Sequence, residues 1–190
     1  MKAKTYILIM MTIFVFSCKK DKPNSSTDDA GNLIANSSFE TSTHQPDYNG
    51  WMGSAHLTDS LGNQYIPLVQ DAPNGGGLWC VQLEPLWMPA EGYTEISITG
   101  QTGTHIYEVT AWIKTFNWVG LVSLEQWRNC KLIYNKQITD SSSVWKHLTL
   151  LDTLTVLSTD ILKVHLSAGS TEMLSGRVRF DNIKLGYTNP

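Results

Sequence analysis

The feature of this sequence that most constrains its fold is an alternation of apolar and polar side chains in the middle of the chain. Residues 107–114 read Y-E-V-T-A-W-I-K, and every second side chain from Tyr107 onward is apolar. Residues 118–127 continue the pattern after a short break near residues 116 and 117. A period of two residues is typical of a β-strand with one buried face. The sequence therefore predicts two consecutive strands here.

Similar segments recur along the rest of the chain and are separated by groups of Gly, Asn, Pro and Ser. No window after residue 31 shows the 3.6-residue period of an amphipathic helix. Many short strands joined by turns are typical of an antiparallel sandwich or barrel. Further strands are predicted near residues 33–40, 77–84, 93–99, 131–138, 145–153, 160–168 and 177–186.

The N-terminal residues 1–17 have the order of a secretory signal. Two lysines precede an apolar run over residues 6–16, which is too short to span a bilayer. The run ends in V-F-S-C, which resembles a bacterial lipobox, and this implies cleavage before Cys18 and a lipid on its sulfur. An ordinary signal peptide with an incidental cysteine is the alternative. Residues 18–31 hold no large apolar side chain after the cysteine and are predicted to form a disordered tether.

The tether also bears on the location and the partners of the protein. Lys-Lys-Asp directly after Cys18 resembles lipoproteins of the Bacteroidetes and implies an outer-membrane lipoprotein, facing either the periplasm or the medium. The membrane contact would be the lipid anchor alone. Residues 32–190 have the size of one domain. The net charge is −3 and the basic residues are scattered, which argues against a nucleic-acid partner.

Three motifs mark the remaining domain in order along the chain. Residues 32–40 read N-L-I-A-N-S-S-F-E, residues 77–83 read G-L-W-C-V-Q-L, and residues 178–185 read V-R-F-D-N-I-K-L. The set resembles the galactose-binding-like jelly roll, in particular carbohydrate-binding modules of the family 4/9/22 type. Ser37 stands where that family usually has glycine. The resemblance implies an all-β jelly-roll sandwich and a non-catalytic, glycan-binding protein.

The same resemblance implies a structural calcium ion where the first and last strands meet. The matching residues are Glu40 in the first motif and Asp181 in the last, together with backbone carbonyl groups. Calcium prefers six to eight oxygen ligands of these kinds. The alternative is that the two carboxylates only accept hydrogen bonds from backbone amides or pair with a nearby cation.

Strand phase predicts a ligand-binding face. The tight connection near residues 116 and 117 predicts that the two central strands form a hairpin. Trp112 and Trp127 would then share the outward side, where they would stack on sugar rings. Glu108 and Glu125 would bind the hydroxyl groups beside them, and Trp87, between two predicted strands, would close over the site. Three further tryptophans are expected in the core: Trp51, Trp79 and Trp145. A loop or a protein partner covering this face is the alternative, which would make the chain a structural or protein-interaction module.

Catalysis is the least supported class. The sequence has no nucleophile-elbow, zinc-protease or phosphate-loop motif, and its five histidines are dispersed. Because several glutamates are present, an accessory glycan hydrolase stays a third hypothesis. Besides Cys18 there are two cysteines, Cys80 and Cys130, which would either form a disulfide outside the cytoplasm or stay separate thiols.

Overall fold

The computed structural model describes residues 31–53, 66–84, 92–169 and 176–190, and every regular element in these ranges is a β-strand. Cys18 and residues 19–30 of the tether, like Trp87, lie outside the described residues. No helix in these ranges is long and apolar enough to cross a membrane. The strands are β1 (Trp51–Gly53), β2 (Leu68–Gln70), β3 (Trp79–Leu83), β4 (Gly92–Ile98), β5 (Gly103–Phe116), β6 (Val119–Arg128), β7 (Lys131–Asp140), β8 (Lys146–Val156), β9 (Asp160–Gly169) and β10 (Arg177–Thr188).

The strands form two antiparallel sheets of five strands each. Sheet A has the order β1-β4-β9-β6-β7, and sheet B has the order β2-β3-β10-β5-β8. The first segment of the domain meets the last strand at sheet B, where the Leu33 amide donates to the Leu185 carbonyl at 2.7 Å. The predicted jelly-roll sandwich is therefore confirmed.

The core lies between the two sheets and is formed by the alternating inward positions of the long strands. Four of these inward side chains are fully buried, at 0 % exposure: Tyr107 on β5, Leu124 on β6, Leu166 on β9 and Phe180 on β10. Burying such a side chain contributes about 1.5–3 kcal/mol to the free energy of folding. The inward phase predicted for residues 107–113 is thus confirmed, and Trp112 points away from the core as expected.

The predicted hairpin of the two central strands is wrong. β5 and β6 follow each other with two residues between them, but they do not pair, since β5 lies in sheet B and β6 in sheet A. Asn117 adopts a left-handed conformation at the crossing, with a φ of 61°. Trp118 is then buried between the sheets at 3 % exposure. A short connection produces a hairpin only when its strands share a sheet. Here the chain crosses from sheet B to sheet A at the buried Trp118.

The predicted first strand, residues 33–40, is an irregular segment instead. Asn36 and Phe39 have φ values of 56° and 57°, which an extended strand does not allow. The segment is held to the last strand by a hydrogen bond from the Ile183 amide to the Ser37 carbonyl. The residue at position 37 does not itself have a positive φ. The serine in place of glycine therefore causes no strain.

Of the three tryptophans predicted to lie in the core, Trp51 is buried as expected. The prediction is wrong for the other two, because Trp79 is half-buried at the sheet end and Trp145 lies on the outer side of sheet B. Cys80 is a buried free thiol on sheet B, and Cys130 is exposed at the β6–β7 turn of sheet A. The disulfide is therefore not formed, because the two cysteines belong to opposite sheets.

Candidate functional site

The outer surface of sheet A carries a contiguous group of polar side chains around one indole ring. Alternation directs them outward from three neighbouring strands, β4, β9 and β6, and the strand register places Glu95 opposite His165 and Lys163 opposite Glu125. We call this group the face-A cluster. Its members are Glu95, Ser123, Glu125, Trp127, Lys163 and His165.

Direct contacts connect the cluster across the strands. Lys163 Nζ lies 2.6 Å from Glu95 Oε1, and His165 Nδ1 lies 3.4 Å from Glu95 Oε2. Lys163 Nζ also lies 4.9 Å from the centre of the Trp127 ring. Trp127 Nε1 donates a hydrogen bond of 2.6 Å to Glu125 Oε2. The ring and both carboxylates are therefore held in fixed positions relative to one another.

The cluster is recessed, although it lies on an outer face. Ser123 is 1 % exposed and Glu125 is 9 % exposed, while Trp127 is half-buried. Burial alone would raise the pKa of Glu95, but its contacts with His165 and Lys163 outweigh burial and bring the pKa below its ordinary value. Glu95 is thus an ionised acceptor at neutral pH. Partial desolvation strengthens hydrogen bonds that such groups make to a ligand.

The second half of the predicted platform lies on the other sheet. Trp112 packs edge-on against His147 on β8, with 5.3 Å between the ring centres. Glu108 lines a separate groove of about 410 Å³ on sheet B, together with Leu151 and Lys184. Trp112 and Glu108 therefore cannot share a ligand-binding face with Trp127 and Glu125. The predicted four-residue face is divided between opposite surfaces of the sandwich.

Glu40 and Asp181 come together under one glycine-rich loop. A Cβ atom added to Gly76 would lie 2.2 Å from Asp181 Oδ2, and one added to Gly77 would lie 1.3 Å from Glu40 Oε1. Both carboxylates are buried, at 7 % exposure for Glu40 and 0 % for Asp181. A groove of about 380 Å³ opens beside the loop and is lined by Glu40 but not by the buried aspartate.

The two carboxylates differ in how well they are satisfied. Both Glu40 oxygens accept from the Leu78 amide at 3.2–3.3 Å, and His44 Nδ1 lies 3.2 Å from Oε2. Asp181 Oδ1 accepts from the Asn182 amide at 2.7 Å, while Oδ2 is buried without a hydrogen-bond partner in the part of the chain that is described. Burial, with a further contribution from the Glu40 charge, raises the pKa of Asp181 to about 8 against the opposing amide bond.

This arrangement fits the oxygen donors that a calcium ion prefers. An unpartnered carboxylate oxygen beside a second carboxylate is costly unless a cation neutralises it. Among the described residues no three His, Cys, Asp or Glu side chains converge, so further ligands would be backbone carbonyls. Glu40 and Asp181 are the side chains that would hold the ion. Its role there would be to neutralise two buried charges.

Sequence reasoning identified Trp127 and Glu125 of the face-A cluster, and strand phase also directs Ser123 to this side, but Glu95, Lys163 and His165 were missed. Glu95 and Lys163 carry no motif, and the outward phase of His165 within residues 162–166 predicts only a solvated strand histidine. Its outward phase is correct, but its side chain is 18 % exposed and contacts Glu95. The signal that could have found these residues is the outward phase of β9, combined with knowledge that β9 lies between β4 and β6.

Comparison with known proteins yields matches to solved structures alone, since no family model and no curated protein matches the chain. The enzymatically active domain of bacteriophage CBA120 tailspike protein 4 is 15 % identical, with a TM-score of 0.63 over 83 % of this chain. This chain covers 21 % of that protein. A Stig cyclase from Fischerella sp. TAU is 17 % identical, with a TM-score of 0.59 over 84 % of this chain and 98 % of the cyclase.

A third similar structure is a carbohydrate-binding module, TmCBM61, solved with β-1,4-galactotriose. It is 16 % identical, with a TM-score of 0.53, and the match covers 84 % of this chain and 100 % of the module. At such low identity the likeness concerns the fold, which also occurs in enzymes. The chain therefore has the jelly-roll β-sandwich fold of carbohydrate-binding modules, as its sequence motifs predict.

Proposed function

We propose that this protein binds neutral glycans without catalysis, at the face-A cluster. The observation that carries the proposal is the half-buried Trp127 ring, whose N–H is fixed on Glu125 and which lies beside the ion-paired Lys163 and Glu95. Indole rings stack on the apolar faces of sugars, and fixed carboxylates accept hydrogen bonds from hydroxyl groups. The shared fold of a galactotriose-binding module supports the proposal.

The charge pattern favours a neutral ligand. Lys163 and His165 both contact the Glu95 carboxylate, so the basic groups of the cluster already have a carboxylate partner. One stacked ring and a few hydrogen bonds leave a modest free energy of binding after the costs of ordering the ligand. Dissociation constants in the micromolar to millimolar range are therefore expected, with little dependence on salt.

Replacing the stacking ring is expected to weaken glycan binding strongly. The Trp127→Ala variant loses the ring and leaves Glu125 without its indole donor, so a ligand found on a neutral glycan array should lose at least about tenfold in affinity. Isothermal titration calorimetry measures this, and the recovered oligosaccharide should be intact. Trp112→Ala is the matched control, because Trp112 is also half-buried and outward but lies on sheet B.

Two results would contradict the proposal. Equal binding by wild type and Trp127→Ala would remove the face-A cluster from the site. Absence of any glycan on the array, with capture of an envelope protein lost in Trp127→Ala, would instead assign the face to a protein partner. Shortened oligosaccharides after incubation would show catalysis, for which the Glu95–His165 pair offers an acid and a base.

We further propose that a lipid on Cys18 anchors the domain to the outer membrane, where it faces either the periplasm or the medium. The lipobox-like V-F-S-C sequence supports this. The Cys18→Ser variant is expected to accumulate as an unprocessed precursor that takes up no labelled fatty acid, because lipid attachment requires the sulfur. Gel mobility and fatty-acid labelling of cells measure both effects. Normal processing of the variant would refute the anchor.

We also propose that Glu40 and Asp181 hold a structural calcium ion. The unpartnered, fully buried Asp181 Oδ2 atom supports this most directly. The ion would supply charge neutralisation where the first and last segments of the domain meet. It would lie away from the face-A cluster, since Asp181 belongs to sheet B and the cluster to sheet A.

A further inference from the structure

The outer surface of sheet B carries a group of cations around one aromatic ring. The carbon of the Arg177 guanidinium lies 4.4 Å from the centre of the Phe116 ring, that of Arg179 lies 5.1 Å away, and Lys114 Nζ lies 5.5 Å away. Lys114 Nζ also lies 5.9 Å from the centre of the Trp145 ring. We call these five residues the face-B cluster.

The strand register builds this group and keeps it together. Arg177 is directly opposite Phe116 and Arg179 directly opposite Lys114 across the β10–β5 pair. Trp145 immediately precedes β8, which pairs with β5 on the other side. Alternation therefore points all of these side chains out of the same face. The arrangement is set by the sheet and not by a loose surface loop.

Positive charge exceeds negative charge within the cluster. Asp71 Oδ2 accepts from Lys114 Nζ at 2.9 Å and also contacts the Arg179 guanidinium. Arg179 Nε donates to Gln82 Oε1 at 2.8 Å, and the nearby Glu84 accepts from Gln82 Nε2 at 3.0 Å. One carboxylate, Asp71, thus serves two of the three cations. Arg177 forms no ion pair with any residue that the structure describes.

Two buried donors of the cluster lack an acceptor in the described part of the chain. Arg177 Nε and Trp145 Nε1 are both shielded from solvent, and neither has a hydrogen-bond partner among the described residues. A buried donor without a partner is costly, and one on a guanidinium more so than a neutral one. An oxyanion would satisfy the Arg177 donors, because the guanidinium fork matches a carboxylate or sulfate group. The rings beside it offer apolar surface to the carbon skeleton of the ligand.

We infer that the face-B cluster is a binding site for an acidic saccharide, whose carboxylate or sulfate group pairs with Arg177 while its ring lies against Phe116 and Trp145. A saccharide is favoured over an acidic peptide because two half-buried aromatic rings adjoin the cations. This site is on the opposite sheet from the face-A cluster. It does not depend on the proposed binding of neutral glycans there.

Calorimetric titration of the whole domain with trigalacturonate tests the inference. Wild type is expected to bind, and affinity should fall as sodium chloride is raised from about 20 mM to about 500 mM, because the contact is ionic. Arg177→Gln keeps an N–H donor and removes the charge, and should weaken binding at least about tenfold. Lys131→Gln removes the same charge from an exposed position on sheet A and should leave the affinity unchanged.

Additional probes identify the source of the oxyanion. A sulfated galactotriose that binds in an Arg177-dependent way would assign the site to sulfate esters, and trigalacturonate alone would assign it to uronic acids. Hexaglutamate binding as tightly as either saccharide would overturn the saccharide assignment. No binding of any of the three, or equal binding by wild type and Arg177→Gln, would overturn the site. Neutral glycan binding, which depends on Trp127, should be unchanged in Arg177→Gln.

Discussion

Calcium is expected to raise the melting temperature of this domain, and a chelator to lower it. A ligand bound by the native state alone stabilises it by about 2.7 kcal/mol when its free concentration is about 100 times the dissociation constant. For a domain of this size that free energy corresponds to a shift of roughly 5–10 °C. Differential scanning calorimetry with calcium and with EDTA measures the shift. Identical melting curves would refute the metal site.

The Asp181→Asn variant is the matched test of the site. The amide keeps the shape of the side chain but removes the charge, which is buried at 0 % exposure. In EDTA at pH 8 the variant is therefore expected to be more stable than wild type, because it buries no second negative charge beside Glu40. Its melting temperature should also be independent of calcium. A variant that still responds to calcium like wild type would show that the ion binds elsewhere.

The pH dependence of the chelated protein has a definite sign. The pKa of Asp181 is raised to about 8 in the native state from an ordinary value of 3.8, so between these values the native state keeps a proton that the unfolded state has lost. Stability therefore decreases as pH rises through this window, by up to about 1.4 kcal/mol for each pH unit, and levels off above it. Denaturant unfolding in EDTA from pH 5 to pH 9 measures the slope, and Asp181→Asn should remove it.

The fold could be predicted from the sequence because the alternation of apolar and polar residues along a single strand indicates which side chains face the core. The inward set on β5, from Tyr107 to Ile113, follows from the period of two without knowledge of any partner strand. Residues 33–40, which include the apolar residues Leu33 to Ala35 and Phe39, were predicted to form a strand. Left-handed backbone at Asn36 and Phe39 prevents this, and nothing in the local pattern marks a phenylalanine for positive φ.

The site could be predicted only in part, because it depends on which strands are neighbours. The outward phase of Trp112 and of Trp127 was correct for each strand taken alone. Their shared face required β5 and β6 to pair, and they belong to different sheets. Glu95 and Lys163 are 68 residues apart and meet through the β4–β9 pairing. Such non-local register leaves no signal in the spacing of residues.

The Glu40–Asp181 pair was found for a different reason. Its residues belong to motifs at the two ends of the domain, and the resemblance to a known family supplied the contact that spacing could not. The structure adds Gly76 and Gly77, which pack directly against the two carboxylates. It also adds the unpartnered Asp181 oxygen, which explains why a cation would be favourable at this place.

Alanine substitutions in the glycine-rich loop are expected to separate backbone strain from steric clash. Gly75 has a φ of +82° and open space around its Cβ position, so Gly75→Ala carries only the strain of a left-handed residue, about 1–2 kcal/mol. Gly76 has an ordinary φ, but its Cβ would lie 2.2 Å from Asp181 Oδ2. Gly77 combines both problems, since its φ is +89° and its Cβ would lie 1.3 Å from Glu40 Oε1.

Stability should therefore decrease in the order wild type, Gly75→Ala, Gly76→Ala and Gly77→Ala, with a loss of more than about 4 kcal/mol for the last. Urea unfolding at fixed calcium measures the order. Repeating it in EDTA adds a second criterion, because Gly75→Ala should keep the calcium-dependent stabilisation while Gly76→Ala and Gly77→Ala lose it through displacement of a carboxylate. If Gly75→Ala is as damaging as Gly77→Ala, or if all three variants keep the calcium response, the loop does not fix the two carboxylates.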